Sequence, residues 1–131
     1  MGRKIFLLHG LLLLALVTLL SACNPDSNDV FIQGTWFYND LHLQEVPGED
    51  ELQIWWTFDR GAYHAYSCCF FEEDTTGRYD IVSSEGDILI IEFFNRQGNP
   101  RAERVQVRLK IDREADTLKI QGTGPFSRVI P

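Results

Sequence analysis

Arg104-Val105-Gln106-Val107-Arg108-Leu109-Lys110-Ile111 decides the fold class. Every second residue is apolar, and the residues between are cationic or amidic. Side chains alternate across a strand, so the segment reads as a strand with one buried and one wet face, as an antiparallel sheet allows.

The same alternation spreads outward. Leu52, Ile54, Trp56 and Phe58 alternate with Gln53, Trp55 and Thr57, and Asp59-Arg60-Gly61 follows as a hairpin turn in which Gly61 supplies a positive φ. The next strand covers about residues 62–72. Asp74-Thr75-Thr76-Gly77 then turns into a strand over 78–83, and Glu85-Gly86-Asp87 turns into one over 88–95. Gln97-Gly98-Asn99-Pro100 leads to the segment quoted above, a turn over 113–116 to a strand at 117–121, and a last strand spans 126–130. With residues 31–38 in front, the count is eight. An open sheet of that width leaves two long unpaired edges, so the expected fold is all-β, an eight-stranded antiparallel up-and-down barrel. A longer acidic loop, residues 39–51, separates the first two strands.

The start of the chain has another character. Arg3 and Lys4 precede an apolar run over residues 5–20, broken only by His9, Gly10 and Thr18, and the small residues Ser21 and Ala22 follow. That is the layout of a secretory signal. The run is short for a bilayer span, and nothing charged follows to stop transfer. Leu20-Ser21-Ala22-Cys23 resembles the lipobox of bacterial lipoproteins. The resemblance implies that Cys23 is alkylated with a diacylglyceryl group, that cleavage falls before it, and that the new amine is acylated with palmitate-type chains. Residues 1–22 are then a signal peptide, 23–29 a lipidated tether and 30–131 the folded domain. Membrane lipid is a partner through the acylated Cys23, because two or three chains hold a protein stably at a surface without spanning it. In that family an Asp after the Cys favours the inner membrane. Asn24 stands there, which directs the protein to the outer membrane of a two-membrane organism, or to the outer face of the cell membrane otherwise.

Charge narrows the partners. The formal net charge is −7, and loss of the two leader cations brings it to −9. Such a balance excludes nucleic acid, or an anionic membrane face, as an electrostatic partner.

Gly34-Thr35-Trp36 on the first strand resembles the Gly-x-Trp signature of lipocalins and related calycin barrels. Trp56-x-Phe58-x-x-Gly61, Gly77-x-Tyr79, Leu118-x-Ile120 and Phe126-x-Arg128 extend the likeness to later strands. It implies that Trp36, with Gly34 beside it, plugs one end of the barrel and that Arg128 packs over the indole. A guanidinium on an indole face contributes about 0.5–2 kcal/mol.

Trp55 and Trp56 are neighbours, so one points in and one out. The inward ring Trp56, with Phe58, Tyr66 and Phe94, is the expected lining of a pocket for a small apolar or aromatic ligand. The register of the Asp59-Arg60-Gly61 hairpin decides between Tyr66 and Tyr63 as the inward tyrosine, because a one-residue slip exchanges them. Cys68-Cys69 allows a vicinal disulfide, an intermolecular one, or, as expected, two unbonded thiols with one buried. His64 and Cys68 share a face but stand roughly 13 Å apart along a strand, too far to hold one metal ion. Glu72-Glu73-Asp74 reads as a solvated hairpin tip, and Ser83-Ser84 lacks a His and Asp around it. No enzyme activity, cofactor or metal is expected. Residues 88–94 are apolar on both faces, which supports a second reading: a filled barrel working as a surface interaction or envelope-structural module with a protein partner. An open cavity of several hundred cubic ångströms discriminates the two.

Overall fold

The structure, a computed structural model, describes residues 27–40, 52–68 and 72–130. The leader, Cys23, most of the acidic loop and Cys69 lie outside the described residues. The chain divides into two units, Met1–Phe31 and Ile32–Pro131. The described part of the first is one helical turn, Asn28–Phe31, in which the Phe31 amide donates to the Ser27 carbonyl at 3.0 Å. This differs from the expected tether through Asp29 and strand start at Phe31: the Ser27 carbonyl captures the Phe31 amide locally, so it is not available to a strand ladder.

The second unit holds eight strands: β1 (Gly34–Asp40), β2 (Leu52–Asp59), β3 (Ala62–Cys68), β4 (Glu73–Glu85), β5 (Ile88–Phe94), β6 (Val105–Asp112), β7 (Thr117–Ile120) and β8 (Thr123–Val129). Each pairs antiparallel with the next, and β8 pairs back onto β1, closing the barrel. Closure satisfies both outer ladders, which removes the edges that an open sheet would leave.

Inward residues follow the period of two. In β6 they are Val107, Leu109 and Ile111, all buried between exposed neighbours. In β5 they are Leu89, Ile91 and Phe93. Between β2 and β3, Arg60 (φ 45°) and Gly61 (φ 83°) form a two-residue turn, and both positive angles suit the right-handed twist of the strands they join.

Two turn assignments change. Asp74-Thr75-Thr76-Gly77 is not a turn: it lies inside β4, with Thr75 opposite Ala65 and Gly77 opposite Tyr63. Gly77 is there for space. A Cβ on it would stand 2.7 Å from Tyr63 Cε1 and 2.9 Å from the Phe94 carbonyl oxygen, so the Tyr63 ring lies across bare backbone. Glu73 and Asp74 are correspondingly strand residues rather than a hairpin tip. The last strand also begins earlier than expected, at Thr123, and runs through Pro125. Opposite it the register jumps between Leu118 and Ile120, so Gly124-Pro125 occupies a bulge, where a residue without an amide proton costs no ladder bond.

One end of the barrel gathers the start of β1, the end of β8 and the β2–β3, β4–β5 and β6–β7 hairpins. Trp36 fills it, fully buried, its indole N–H donating to the Ile32 carbonyl at 2.8 Å. The Arg128 guanidinium lies 4.2 Å from the ring centroid. Arg128 also donates to the Gln33 carbonyl at 2.8 Å and pairs with Asp116 at 3.0 Å. Gly34, at φ 110°, lets the chain turn beneath it, with room for a Cβ only 3.5 Å from Arg128 Nη1. The Gln33 side chain accepts from the Arg60 amide at 2.8 Å and donates to the Tyr79 hydroxyl at 2.9 Å. Ile32-Gln33 is thus a strap tied to three other parts of the barrel. We refer to this as the closed end.

Candidate functional site

The other end gathers the β3–β4, β5–β6 and β7–β8 connections, and it holds a cavity of about 480 Å³. Inward side chains explain the space. At the closed end they are Trp36, Phe58, Tyr79, Leu89, Leu109 and Leu118, all buried. Toward the open end β3 and β4 turn inward Ala65, Ser67 and Thr75, which are short and line the space.

Trp56 lines the cavity, near-parallel to Phe93 with centroids 5.3 Å apart and to Phe58 at 5.9 Å. Tyr63 packs on Phe93 at 4.2 Å. Leu52, Ile54, Val105, Val107, Ile120 and Phe126 are further apolar lining residues. Exposed Glu73, Arg96, Gln121 and Thr123 are also lining residues, so the space reaches solvent. Asn95 and Gln97, both at positive φ, flank Arg96 in a tight turn, and the Arg96 charge acts on the Tyr63 phenol. Burial pushes the Tyr63 phenol above its ordinary pKa, and that charge pulls back part of the rise.

The inward rings differ from the expected set in two places. Phe58 opposes Tyr63, and Trp55 opposes Tyr66, so the hairpin register makes Tyr63 the inward tyrosine. Tyr66 borders the cavity, but its ring lies 5.3 Å from Trp55, which in turn lies 5.0 Å from Phe37. These three rings make a ladder on the outer face of β1–β2–β3. Phe94 is also outward, with the Arg104 guanidinium 4.6 Å from its centroid, and Phe93 takes the inward place. The one-residue parity of a strand accounts for both exchanges. Phe58 lies beneath the cavity, fully buried and edge-on to Tyr79 at 5.5 Å.

Signals for the missed residues were weak. Ala65, Ser67 and Thr75 shape the cavity by being small, and a small inward residue leaves no periodic mark unless its strand and register are known. Thr75 was further disguised by a turn-like neighbourhood.

The other chemistry-bearing residues lie outside the barrel. His64 Nε2 is 2.6 Å from Asp74 Oδ1, both exposed. Cys68 is disulfide-bonded, with its partner outside the described residues, which corrects the expectation of two unbonded thiols. Ile88, Ile90 and Phe94, the outer side of β5, are only half-buried rather than openly exposed. Register explains the cover: Ile88 stands beside Lys110 and Ile90 beside Arg108, whose aliphatic stems can lie over apolar neighbours.

The chain matches no protein-family model, no curated protein and no solved structure.

Proposed function

We propose that this protein is a non-enzymatic binding module for a small apolar or aromatic molecule, held at a membrane surface by a lipidated Cys23. The observation that carries the binding half is the cavity of about 480 Å³. Ligand sites typically enclose roughly 300–1,000 Å³ with mostly apolar walls and a few polar groups, and this space fits that description. Aromatic rings supply its wall: Trp56, Tyr63 and Phe93 present large polarisable surface to a guest at little cost in rotamer freedom. A lipocalin-like relationship is compatible with the eight-stranded barrel and with Arg128 over Trp36.

The alternative, a filled barrel acting through protein contacts, has less support, since the half that would have to be filled is lined by Ala65, Ser67 and Thr75. The anchor rests on the Leu20-Ser21-Ala22-Cys23 pattern and on Asn24, which points to the outer membrane where there is one.

Native mass spectrometry of the full chain, released from membranes of the producing cell, tests the binding half. A co-purifying small mass is the expected result; a bare chain, or a protein complex with no small mass, contradicts it. Labelled palmitate should enter the wild-type chain and not Cys23→Ser, and equal labelling would refute the anchor.

A further inference from the structure

The two rims of the barrel differ in what they expose. Among the described residues the exposed large hydrophobic side chains are Val30, Ile81, Val82, Val129 and Ile130, and none of them belongs to the open end. Ile81 and Val82 lie in β4 beyond Arg78, the last residue of that strand to pair with β3, and Val129 ends β8. Val30 belongs to the helical turn that runs into Ile32.

Strand parity explains why these side chains are left in water. The inward series of β4 is Thr75, Gly77 and Tyr79, with Ile81 next, and that of β8 is Phe126 and Arg128, with Ile130 next. Tyr79 and Phe126 are buried and Arg128 covers Trp36, but Ile81 is 41% exposed and Ile130 79%. Both continue an inward face past the Trp36 plug, where no core remains to be entered. β4 and β8 stand four strands apart in a closed ring of eight, so the two apolar pairs occupy opposite sides of one rim. A flat surface met end-on covers both pairs at once. Apolar side chains left exposed in this way mark an interaction surface.

The tether identifies the occupant. Five residue steps separate Cys23 from Asn28, and one helical turn then leads to Ile32 at the closed end. Extended chain and helix together reach roughly 23 Å, whatever the direction of that turn, so acyl chains on Cys23 hold this rim close to the bilayer. The rim also carries exposed Asp59, Glu85, Asp87, Asp112 and Glu114, which an anionic headgroup layer would repel.

We propose that the closed end rests on a bilayer of neutral headgroups, with Ile81, Val82, Val129 and Ile130 entering its interface, so that the cavity mouth points away from the lipid. This rests on the Cys23 anchor and adds the orientation of the barrel on it. The guest then reaches the mouth from the aqueous side and not directly out of the bilayer.

The full lipidated chain, with ¹³C-labelled isoleucine δ1 methyls, is placed in phosphatidylcholine nanodiscs in which some lipids carry a headgroup nitroxide. The Ile81 and Ile130 methyls should relax several-fold faster than those of Ile54 and Ile120, which line the open end, and a water-soluble gadolinium chelate should reverse the order. Val82→Ser combined with Val129→Ser should reduce the lipid effect at Ile81 and Ile130 while the chain stays on the discs. Both positions are exposed, so the fold is kept, which circular dichroism verifies. Adding phosphatidylglycerol should weaken the lipid effect. A chain that never associates with the discs would refute the anchor and the orientation together. A chain that stays on the discs overturns the orientation alone if the nitroxide acts equally on both ends or more on Ile54 and Ile120, or if phosphatidylglycerol strengthens its effect. Closed-end methyls untouched by the nitroxide yet shielded from the chelate would assign that rim to a protein or a second copy of this chain, and overturn the lipid contact.

Discussion

The two ends of this barrel are built on the same eight strands and the same inward period, yet one is solid and the other hollow. At the closed end Trp36, Phe58, Leu89, Leu109 and Leu118 meet with almost no exposure, and Arg128 and Gln33 lace the strap Ile32-Gln33 to the wall. At the open end Ala65, Ser67 and Thr75 leave about 480 Å³ unfilled. Stability is therefore expected to reside at one end and recognition at the other. Substitutions of similar size should have opposite consequences in the two places.

The largest effect belongs to Trp36. Trp36→Ala should cost about 3–5 kcal/mol in urea denaturation, because it empties the closed end and strips Arg128 of the ring it covers. A loss below about 1 kcal/mol would mean that this end is not the stabilising one. Gly77→Ala comes next. Its Cβ would meet Tyr63 and the Phe94 carbonyl at under 3 Å, so it should cost about 1–3 kcal/mol and also disturb binding of an apolar probe such as dodecanol, since Tyr63 is a cavity wall. Arg128→Met should cost about 1–2 kcal/mol through the lost indole contact and the bonds to Gln33 and Asp116, with probe binding unchanged. Ala65→Val, in contrast, should change stability by under about 0.5 kcal/mol, since it grows into existing space, while lowering probe affinity.

A pH profile sharpens the comparison further. Burial raises the Tyr63 pKa in the folded state, so above about pH 10 the unfolded chain releases a proton that the folded chain retains. Stability should then fall as pH rises through that region, by at most about 1.4 kcal/mol per unit. Tyr63→Phe should flatten this part of the profile. Arg96→Met should move the Tyr63 phenolate absorbance to still higher pH, because the charge that pulled the pKa back is gone.

Much of the frame was legible before any coordinates. Alternation over residues 104–111, with turn signals at Asp59-Arg60-Gly61 and Glu85-Gly86-Asp87, was enough for eight strands and closure. The site was less legible for a physical reason. A barrel's interior depends on which parity of each strand faces in, and Tyr63 against Tyr66, or Phe93 against Phe94, differ by one residue of register. Gly77 misled in another way: glycine signals turns, but here it makes room for the Tyr63 ring inside a strand. Gln33 carries no pattern at all, since its three tethers depend on where the strap crosses the barrel.

One measurement tests the contrast between the ends most directly. With 5-fluorotryptophan at all three Trp positions, ¹⁹F NMR reports Trp36, Trp55 and Trp56 separately, assigned by Trp55→Phe and Trp56→Phe. On addition of dodecanol, the Trp56 resonance should move, while Trp36 stays in place and shows no shift between H₂O and D₂O. A Trp36 resonance that responds to solvent or probe, or a Trp56 resonance that ignores the probe, would contradict a barrel sealed at one end and receptive at the other.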